Sequence, residues 1–596
     1  MTTPASAPSP GTLRLIRGTP NPVGAYGAQL FLFEGDAASA PIHHVELAEG
    51  VSLPPRRSFS AAHSARLCVL HINDLHGHVC RLTPEGDIPI FSKIVGRIRS
   101  LRHRFRDDPD MAILTLSAGD DLIGFVFDEL LGDSDESFKI HVGYHLYSAA
   151  GMDAVTFGNH DLDMGAAALA RSVERNARFP RLSANLVAEP PLQGLYHPAA
   201  LFIRKGIRIG VVGLTTPGQI RQSPNSGFYI ADPIQTAHNI LPALRPLCDV
   251  LIILSHLGYS LQGGSGATVG AAGDVELARA LPRGGVHLIV GGHTHHVLNE
   301  QGLTPNNIVN GIPIVQAGTL GRYLGEVTIS LRPTATVTNA RLQPTAYLPT
   351  DQQFEQDYVQ PLASEVMPLL TRPLGRTANC EDLDTLNVQN CFAARESAFA
   401  NFIAEGLAAR ARAHGHEVDL AFVDASSARV GVPVGDEITF GDWFNVMPFA
   451  DTIALYWLTG VQLEQLVRDN ALRCDRADEP HTERGFLHFS HELRYTLILG
   501  AERSQARAED IRFQGQPLAD LRNRTFLLAS SSFVRMPAAA WESYAAPDLP
   551  LIHLNDLPHQ PMNLFLRKEL VTYLSEVGGV TKTGGAKRDG RVKIVE

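Results

Sequence analysis

Side chains that bind metal ions or transfer protons follow short apolar runs at five places between residues 66 and 296. These runs end in "NDLHG", "AGDD", "GNHD", "SHLG" and "GGHTHH". They supply the candidates Asp74, His76, Asp120, Asn159, His160, His256, His293 and His295. Imidazole nitrogens mixed with carboxylate and amide oxygens suit zinc, manganese or iron rather than calcium. About seven such groups are more than one tetrahedral ion needs, whereas two ions that share a bridging carboxylate would use them all. Pairs of ions of this kind catalyse phosphoryl transfer.

These clusters require a fold that brings strand ends together. Helix-like stretches such as "FSKIVGRIRSLRHRF" and "MGAAALARSVERN" separate the apolar runs. Alternating strands and helices predict a layered α/β domain. Open α/β sheets form their sites beyond the carboxyl ends of the strands, so we expect the clusters to meet there. Neighbouring glycines, among them Gly119 and Gly158, allow close approach of the backbone.

The segments before and after these clusters differ from them in composition and in predicted secondary structure. Residues 1–64, rich in Ala, Pro, Ser and Gly, form an N-terminal extension of unknown role with one potential strand, "AQLFLFEG". Residues 350–374 predict a mostly helical connector that Pro361 interrupts. Beyond it, "ESAFANFIAEGLAARARAHG" has apolar residues at helical spacing and predicts a helix that ends near Gly415. The remainder is typical of a second α/β domain.

Length and composition exclude several classes of protein. A chain of 596 residues is too long for one ordinary core and indicates two or more domains. Its 44% hydrophobic and 19% charged residues are those of a soluble globular protein. The net charge of −11 argues against non-specific nucleic-acid binding, which needs a basic face. The six cysteines include no CxxC pair, so a reducing compartment is expected rather than a disulfide framework.

Targeting signals are the next feature. The start "MTTPASAPSPGTLRLIRGTP" lacks a basic stretch followed by an apolar one, so no signal peptide is expected. Apolar runs of about 18 residues, which a membrane helix needs, are also lacking. We therefore expect a cytoplasmic protein with no membrane or nucleic-acid partner. A periplasmic location would follow only if the assigned start were wrong.

The motifs together resemble the 5′-nucleotidase branch of the calcineurin-like metallophosphoesterases. The matching stretches are "LHINDLHG", "SAGD", "GNHDLDMG", "SANL", "VVGLTTP", "SHLG", "GGHTHH" and "VQAG". The resemblance implies an α/β fold: a four-layer α/β sandwich that carries two metals, a helical linker and a smaller α/β substrate-binding domain. The corresponding limits are residues 65–345, 346–376 and 377–596.

The resemblance also implies roles for individual residues. One ion would be bound by Asp74, His76, Asp120 and His295. The other would share Asp120 and add Asn159, His256 and His293. His160 would face the scissile phosphate and Asp163 would orient its imidazole. Asp161 stands where the family usually has Glu, and no chemistry is assigned to it. We interpret His71, His78 and His296 as structural and Asp121 as a cap.

The second domain of the family holds the leaving-group side of the substrate. Two arginines match its motifs, Arg395 in "FAARESAFANF" and Arg429 in "DASSARVGVP", and two guanidiniums suit an anion. Asp424 stands where the family has Asn. Phe486 and Phe533 are candidates for stacking on a nucleobase, although either could belong to the core. Ala539 replaces an Asp that normally binds the ribose in the family, so we expect weak recognition of a nucleoside.

We therefore expect a phosphoesterase similar to 5′-nucleotidases, active in nucleotide catabolism or on related phosphorylated small molecules. It would hydrolyse phosphate monoesters with water activated by two divalent transition-metal ions: zinc, manganese, iron or cobalt. The partner would be the small-molecule phosphoester. The sequence does not indicate an oligomeric state. One alternative is a thiosulfohydrolase-like relative of sulfur oxidation, and another is a non-catalytic binding protein on the same fold.

Overall fold

The computed structural model describes residues 8–24, 27–83, 87–132, 134–217, 227–260, 272–449, 451–476, 485–532, 534, 552, 554 and 557–595. Contacts between Cα atoms divide the chain into two compact units, Met1–Val366 and Met367–Glu596. The domain limits drawn from the sequence stay predictions.

The first unit alternates strands with helices. Its strands are β1 (Thr12–Gly18), β2 (Gln29–Glu34), β3 (His44–Leu47), β4 (Ala65–Ile72), β5 (Cys80–Arg81), β6 (Ile88–Pro89), β7 (Met111–Ser117), β8 (Ala154–Thr156), β9 (Arg181–Leu182), β10 (Leu186–Ala188), β11 (Ala199–Arg204), β12 (Ile207–Thr215), β13 (Phe228–Ile230), β14 (Val250–His256), β15 (Leu288–Val290), β16 (Ile308–Val309), β17 (Ile312–Val315), β18 (Tyr323–Leu331) and β19 (Ala335–Pro344). Its helices are α1 (Phe91–Arg104), α2 (Val142–Ala150), α3 (Asn159–Leu162), α4 (Gly165–Asn176), α5 (Pro233–Leu244), α6 (Asp274–Ala280), α7 (Gln352–Phe354) and α8 (Gln360–Leu370), the last of which crosses into the second unit.

Two sheets form the centre of this unit. A six-stranded sheet has the order β19-β18-β4-β7-β8-β9, and a nine-stranded sheet has the order β16-β17-β15-β14-β12-β11-β2-β1-β3. Val69 and Leu114 of the first sheet share one buried core with Val211 and Ile252 of the second. On the other face of the nine-stranded sheet, apolar residues such as Ile240 of α5 form a second core. The fold is mixed α/β, with two sheets packed face to face.

The central strands position the candidate residues because they are parallel. β4 pairs with β7, and β7 with β8, in parallel register. In the other sheet β14 pairs in parallel with β12 and β15. The runs "MAILTLS" of β7 and "VLIILSH" of β14 are buried along their whole length, as expected for strands covered on both faces. Within each sheet, the parallel strands therefore end in the same direction.

The N-terminal segment is part of the nine-stranded sheet. β2 pairs antiparallel with β11 and β1, and β1 pairs in parallel with β3. The potential strand in "AQLFLFEG" corresponds to β2, and two further strands flank it in the sheet.

The connector corrects one sequence-based expectation. α7, a π-helical turn (Glu355–Val359) and α8 follow one another without a break. Pro361 is the second residue of α8 and directly follows the π-helical turn, where the backbone departs from the i→i−4 hydrogen-bond pattern and can accommodate a residue without an N–H. The expected interruption at Pro361 is therefore wrong.

The second unit is also mixed α/β. Its strands are β20 (Pro373–Arg376), β21 (Leu420–Asp424), β22 (Glu437–Thr439), β23 (Thr452–Thr459), β24 (Leu487–Phe489), β25 (Leu493–Ile498), β26 (Arg507–Phe513), β27 (Gln516–Pro517), β28 (Thr525–Ser531), β29 (His559–Phe565) and β30 (Val592–Val595). Its helices are α9 (Thr385–Cys391), α10 (Ala398–Ala413), α11 (Phe440–Val446), α12 (Gly460–Arg473) and α13 (Leu566–Glu576). The largest sheet has the order β24-β21-β28-β23-β29. Among the described helices of the chain, none is long and apolar enough to cross a membrane.

Candidate metal centre

The strand ends of the two sheets bring the candidate ligands together. Asp74 and His76 follow β4, Asp120 follows β7, and Asn159 begins α3 just after β8. From the second sheet come His256, the last residue of β14, and His293 and His295, which follow β15. The ligand atoms form two groups, within each of which all atoms lie within 4.8 Å of one another: Asp74, His76 and His295, and Asp120, His256 and His293.

The first group is centred on Asp74. Its Oδ1 lies 3.3 Å from Nε2 of His295 and 4.0 Å from Nε2 of His76. The two Nε2 atoms lie 3.3 Å apart. Two imidazole nitrogens and a carboxylate oxygen that converge in this way surround a space suited to a cation.

The second group is centred on Asp120. Its Oδ2 lies 3.1 Å from Nε2 of His256 and 3.9 Å from Nε2 of His76. Asp120 therefore lies between the two groups. Nδ1 of His293 is 2.9 Å from Oδ1 of Asn159, which brings the amide next to this second group.

Two histidine rings are held in the tautomer that leaves Nε2 to bind a metal. Nδ1 of His76 donates to the carbonyl of Ile123 at 2.7 Å, and Nδ1 of His256 donates to that of Ala118 at 2.5 Å. Such outer bonds are usual for metal-binding histidines. In the described part of the chain, the buried Nε2 of His256 has no hydrogen-bond partner. An orphaned buried nitrogen beside a carboxylate fits a divalent metal ion.

The electrostatics of the site also favour cations. Burial opposes ionisation of Asp74 and Asp120, but neighbouring histidines outweigh it and lower the pKa of both carboxyls. Burial alone would lower the pKa of His256, yet the charge of Asp120 raises it to about 10. Burial lowers the pKa of His76 to about 4 and that of His293 to about 3. The two buried carboxylates thus stay charged beside the neutral imidazoles of His76 and His293, and their charge favours a cation, as the raised pKa of His256 shows.

The backbone of the ligand loops is strained. Left-handed φ values occur at Asp74 (50°), His76 (47°), Asp120 (54°), His293 (75°) and His295 (57°). Residues other than glycine seldom adopt this conformation, which costs about 1–3 kcal/mol and persists where surrounding contacts enforce it. Such strain concentrates at functional sites.

His160 and Asp163 form a buried pair next to these ligands. Both lie on the turn of α3, and Nδ1 of His160 is 2.6 Å from Oδ2 of Asp163. The Asp163 side chain is fully buried, whereas 12% of the His160 side chain is exposed. This bond places the proton of Nδ1 on Asp163 and leaves Nε2 facing away from it, where it accepts a hydrogen bond in the neutral ring and donates one in the protonated ring.

Two buried carboxylates, Asp161 and Asp121, lie behind the ligands, and the sequence assigned no chemistry to either of them. Asp161 accepts backbone N–H groups from Gly158 and from the Asp120 loop. Burial raises the pKa of Asp161 to about 6. Asp121 accepts hydrogen bonds from Ser117 Oγ at 2.6 Å and Tyr147 Oη at 2.7 Å. Asp121 therefore bonds to side chains of β7 and α2, and its interpretation as a cap is wrong.

The three histidines interpreted as structural lie nearby. His71 is buried in β4. The ring of His78 stacks on Phe125, with centroids 4.4 Å apart. His296 is exposed and its ring centroid is 5.3 Å from that of Tyr259.

The residues proposed for substrate binding lie in the second unit. Arg395 precedes α10, whose N-cap is Ser397, and it donates to Asn387 Oδ1 at 2.8 Å. Asp424 ends β21, is fully buried and accepts the N–H of Ser426 at 2.7 Å. The guanidinium of Arg429 lies over the ring of Phe449, 4.9 Å from its centroid.

Of the two aromatic candidates, only Phe486 is among the described residues. Phe486 is fully buried, and its ring packs edge-on against His488 with centroids 4.9 Å apart. No face of Phe486 is therefore open to solvent. Phe533, like Ala539, lies outside the described residues.

Comparisons with known proteins agree with this architecture. A family model of calcineurin-like phosphoesterases matches residues 68–297. A model of the 5′-nucleotidase C-terminal domain matches residues 373–542. The first family covers all seven ligand candidates and the His160–Asp163 pair, and the second covers the arginines of the second unit.

Individual relatives include proteins named 5′-nucleotidase and UshA. A 5′-nucleotidase of Vibrio cholerae serotype O1 is 31% identical over 305 residues, which are 48% of this chain and 52% of that protein. This chain thus spans about half the length of that relative. The UshA protein of Yersinia enterocolitica serotype O:8 is 27% identical over 506 residues, 78% of this chain and 84% of that protein. The structure of a 5′-nucleotidase precursor from Thermus thermophilus matches with a TM-score of 0.57 at 24% identity, over 89% of this chain and 99% of that one, and shows the fold alone.

Proposed function

We propose that this chain, which belongs to the 5′-nucleotidase family of calcineurin-like phosphoesterases, is a metal-dependent hydrolase of phosphate monoesters. The observation that carries the proposal is the pair of ligand groups, one around Asp74 and one around Asp120, beside the His160–Asp163 pair. Phosphate monoesters hydrolyse extremely slowly in water. A site that concentrates charge-stabilising groups is what this reaction requires.

The ligand roles follow the grouping of the side chains. We assign Asp74, His76, Asp120 and His295 to one ion. To the other we assign Asp120, Asn159, His256 and His293. When bound, a pair of divalent ions supplies an activated water and neutralises the charge of the phosphoryl group. The 3.1 Å and 3.9 Å distances from Asp120 Oδ2 to His256 and His76 support a bridging role for this carboxylate.

The His160–Asp163 pair would act on the phosphoryl group itself. With Nδ1 bonded to Asp163 at 2.6 Å, the protonated imidazole would present its second proton at Nε2. That proton can be donated to the charge that develops on the phosphoryl or leaving oxygen. The buried carboxylate of Asp163 favours the protonated ring and fixes its orientation.

The substrate is a nucleotide or a related phosphorylated small molecule. In the second unit, Arg395 and Arg429 would bind its anionic groups. The resemblance also implies substrate-binding roles for Asp424, Phe486 and Phe533, of which Phe533 lies outside the described residues. The burial of Phe486 supports a packing role more than a stacking role.

A panel of phosphoesters tests the proposal. The purified full chain, loaded with Mn²⁺, should release phosphate from AMP, aryl phosphates or sugar phosphates, and treatment with a chelator should abolish release. Release of sulfate from a thiosulfonate substrate without phosphatase activity would instead identify a thiosulfohydrolase. Metal binding without hydrolysis of either class would identify a binding protein.

The cytoplasm is the proposed location. All six cysteines are free, and four of them are buried, which is what a reducing compartment favours. Cell fractionation tests this location, and recovery of the protein from the periplasm would contradict it.

A further inference from the structure

The carboxylate of Asp161 joins the two loops that carry Asp120 and Asn159. Its Oδ2 accepts the backbone N–H of Gly158 at 2.8 Å and that of Asp120 at 3.0 Å. Its Oδ1 accepts the N–H of Asp121 at 3.1 Å. One buried side chain thus satisfies three backbone donors from two different strand ends.

The bond between the loops is reciprocal. The backbone N–H of His160 donates to Oδ1 of Asp120 at 2.9 Å. The turn of α3 therefore holds the Asp120 loop through the Asp161 carboxylate and also holds the Asp120 carboxylate directly. Because the backbone of Asp120 is left-handed, with φ of 54°, surrounding contacts must maintain it. The bond from Asp161 to the Asp120 N–H is such a contact.

We propose that Asp161 is a positioning residue for metal binding, which fixes the Asp120 carboxylate between the two ligand groups. This inference rests on the proposed function. Asp161 acts through backbone N–H groups and not through a bond to substrate. Removing an outer partner of this kind typically weakens metal affinity about 10–100-fold.

Asp161→Asn is the most informative substitution. Asparagine has nearly the same shape, but its NH₂ group cannot accept a hydrogen bond. If NH₂ replaces Oδ1, the N–H of Asp121 loses its acceptor. If NH₂ replaces Oδ2, both Gly158 and Asp120 lose theirs. Either orientation leaves a buried donor unsatisfied beside the bridging carboxylate.

Calorimetric titration of the metal-free full chain with Mn²⁺ alone tests the inference. We expect Asp161→Asn to bind Mn²⁺ about 10–100-fold more weakly than the wild type, and Asp161→Glu to restore much of the affinity. The matched control is Asp163→Asn, which removes a buried carboxylate from the same turn. Because Asp163 bonds to His160, that control should keep wild-type Mn²⁺ affinity and show a lower turnover.

The outcomes separate positioning from simple structural support. If Asp161 served only the fold, the melting temperature of the metal-free protein would fall while Mn²⁺ affinity stayed unchanged, and the inference would be overturned. If Asp161→Asn does not fold, Asp161→Ser keeps one acceptor, and wild-type affinity in that variant would overturn the inference equally. Failure of the wild type to bind Mn²⁺ or release phosphate would overturn the proposed function as well.

Discussion

The backbone of Gly158 lies against the carboxylate of Asp120, so that a Cβ atom at residue 158 would be 2.0 Å from Asp120 Oδ1. The φ of Gly158 is −89°, a value that alanine adopts without strain. The absence of a side chain at this position is therefore a matter of space. It allows the α3 turn to approach the carboxylate that we place between the two ions.

Gly158→Ala should therefore displace Asp120 and weaken metal binding about 10–100-fold. The metal content after loading with Mn²⁺ and gel filtration measures this loss. Gly194→Ala is the matched control, because residue 194 has a positive φ of 81° but open space around its Cβ position. The control should lower the melting temperature slightly and retain full metal. A Gly158→Ala variant with wild-type metal content would contradict the assigned position of Asp120.

The two ligand groups should differ in how much metal each substitution removes. His295 belongs to the Asp74 group, so His295→Ala should lose the ion of that group and keep the other. Asp120→Ala should deplete both ions, because this carboxylate lies near imidazoles of both groups. Elemental analysis of the two purified variants gives the answer. Equal losses would show that Asp120 serves one ion only.

The His160–Asp163 pair should affect turnover and not metal content. His160→Ala should lower kcat by roughly 10²–10⁴, as expected for a positioned acid or charge stabiliser. Asp163→Asn should lower it less, because the imidazole remains in place. Steady-state kinetics and metal analysis on the same preparations provide the two measurements. If His160→Ala lost metal in proportion to activity, His160 would be a ligand.

A buried histidine that is not among these ligands should make stability depend on pH. Nδ1 of His141, the N-cap of α2, accepts the N–H of Tyr144 at 3.1 Å. Burial lowers the pKa of His141 from 6.5 to about 3. The unfolded chain therefore takes up a proton first as the pH falls. The stability that neutral His141 provides is complete above about pH 6.5 and is lost progressively toward pH 3.

His141→Asn should reduce this dependence, because asparagine caps helices without titrating. Between about pH 7 and pH 5, the free energy of unfolding of the variant should fall less steeply, by up to about 1.4 kcal/mol per pH unit. Urea denaturation at several pH values measures the slopes. Other buried histidines contribute equally to both proteins, so identical slopes would show that His141 is not the titrating group.

The positions of the ligand candidates could be predicted from the sequence because each of them lies at the end of a strand. Each follows an apolar run, and the runs that became β4, β7, β14 and β15 form parallel strands. The left-handed backbone conformation of Asp74 and Asp120 could not be predicted, since neither residue is glycine. It depends on tertiary contacts that no local pattern encodes.

Asp161 shows the same limit. The only sequence signal for Asp161 is that the family usually has Glu at this position. Its backbone partners at Gly158, Asp120 and Asp121 come within reach only when β7 and β8 pair. β1 and the edge strand β3 could not be predicted for another reason. They lie in a segment rich in Pro, Ser and Gly, and their main-chain pairing depends on β2 and β11.

Recognition of a nucleoside should be weak, judging from the second unit. Asp424 stands where the resemblance implies Asn, and its carboxylate accepts hydrogen bonds from the N–H and hydroxyl of Ser426. Arg395 shares its guanidinium with Asn387 and, at 3.5 Å, with Asp382. Ala539, whose side chain cannot accept a bond from a ribose hydroxyl, replaces the expected Asp.

We therefore expect kcat/KM for AMP to differ by less than about tenfold from that for aryl or sugar phosphates, since a site without a hydroxyl partner discriminates poorly. Arg395→Ala and Arg429→Ala should raise KM for substrates with a second anionic group more than for an aryl phosphate with a neutral leaving group. The Mn²⁺-loaded enzyme assayed on one substrate panel gives both comparisons. A preference for 5′-nucleotides above about a hundredfold would mean that other residues of the second unit rebuild a nucleoside site despite Ala539, because only a partner for the nucleoside could supply that discrimination.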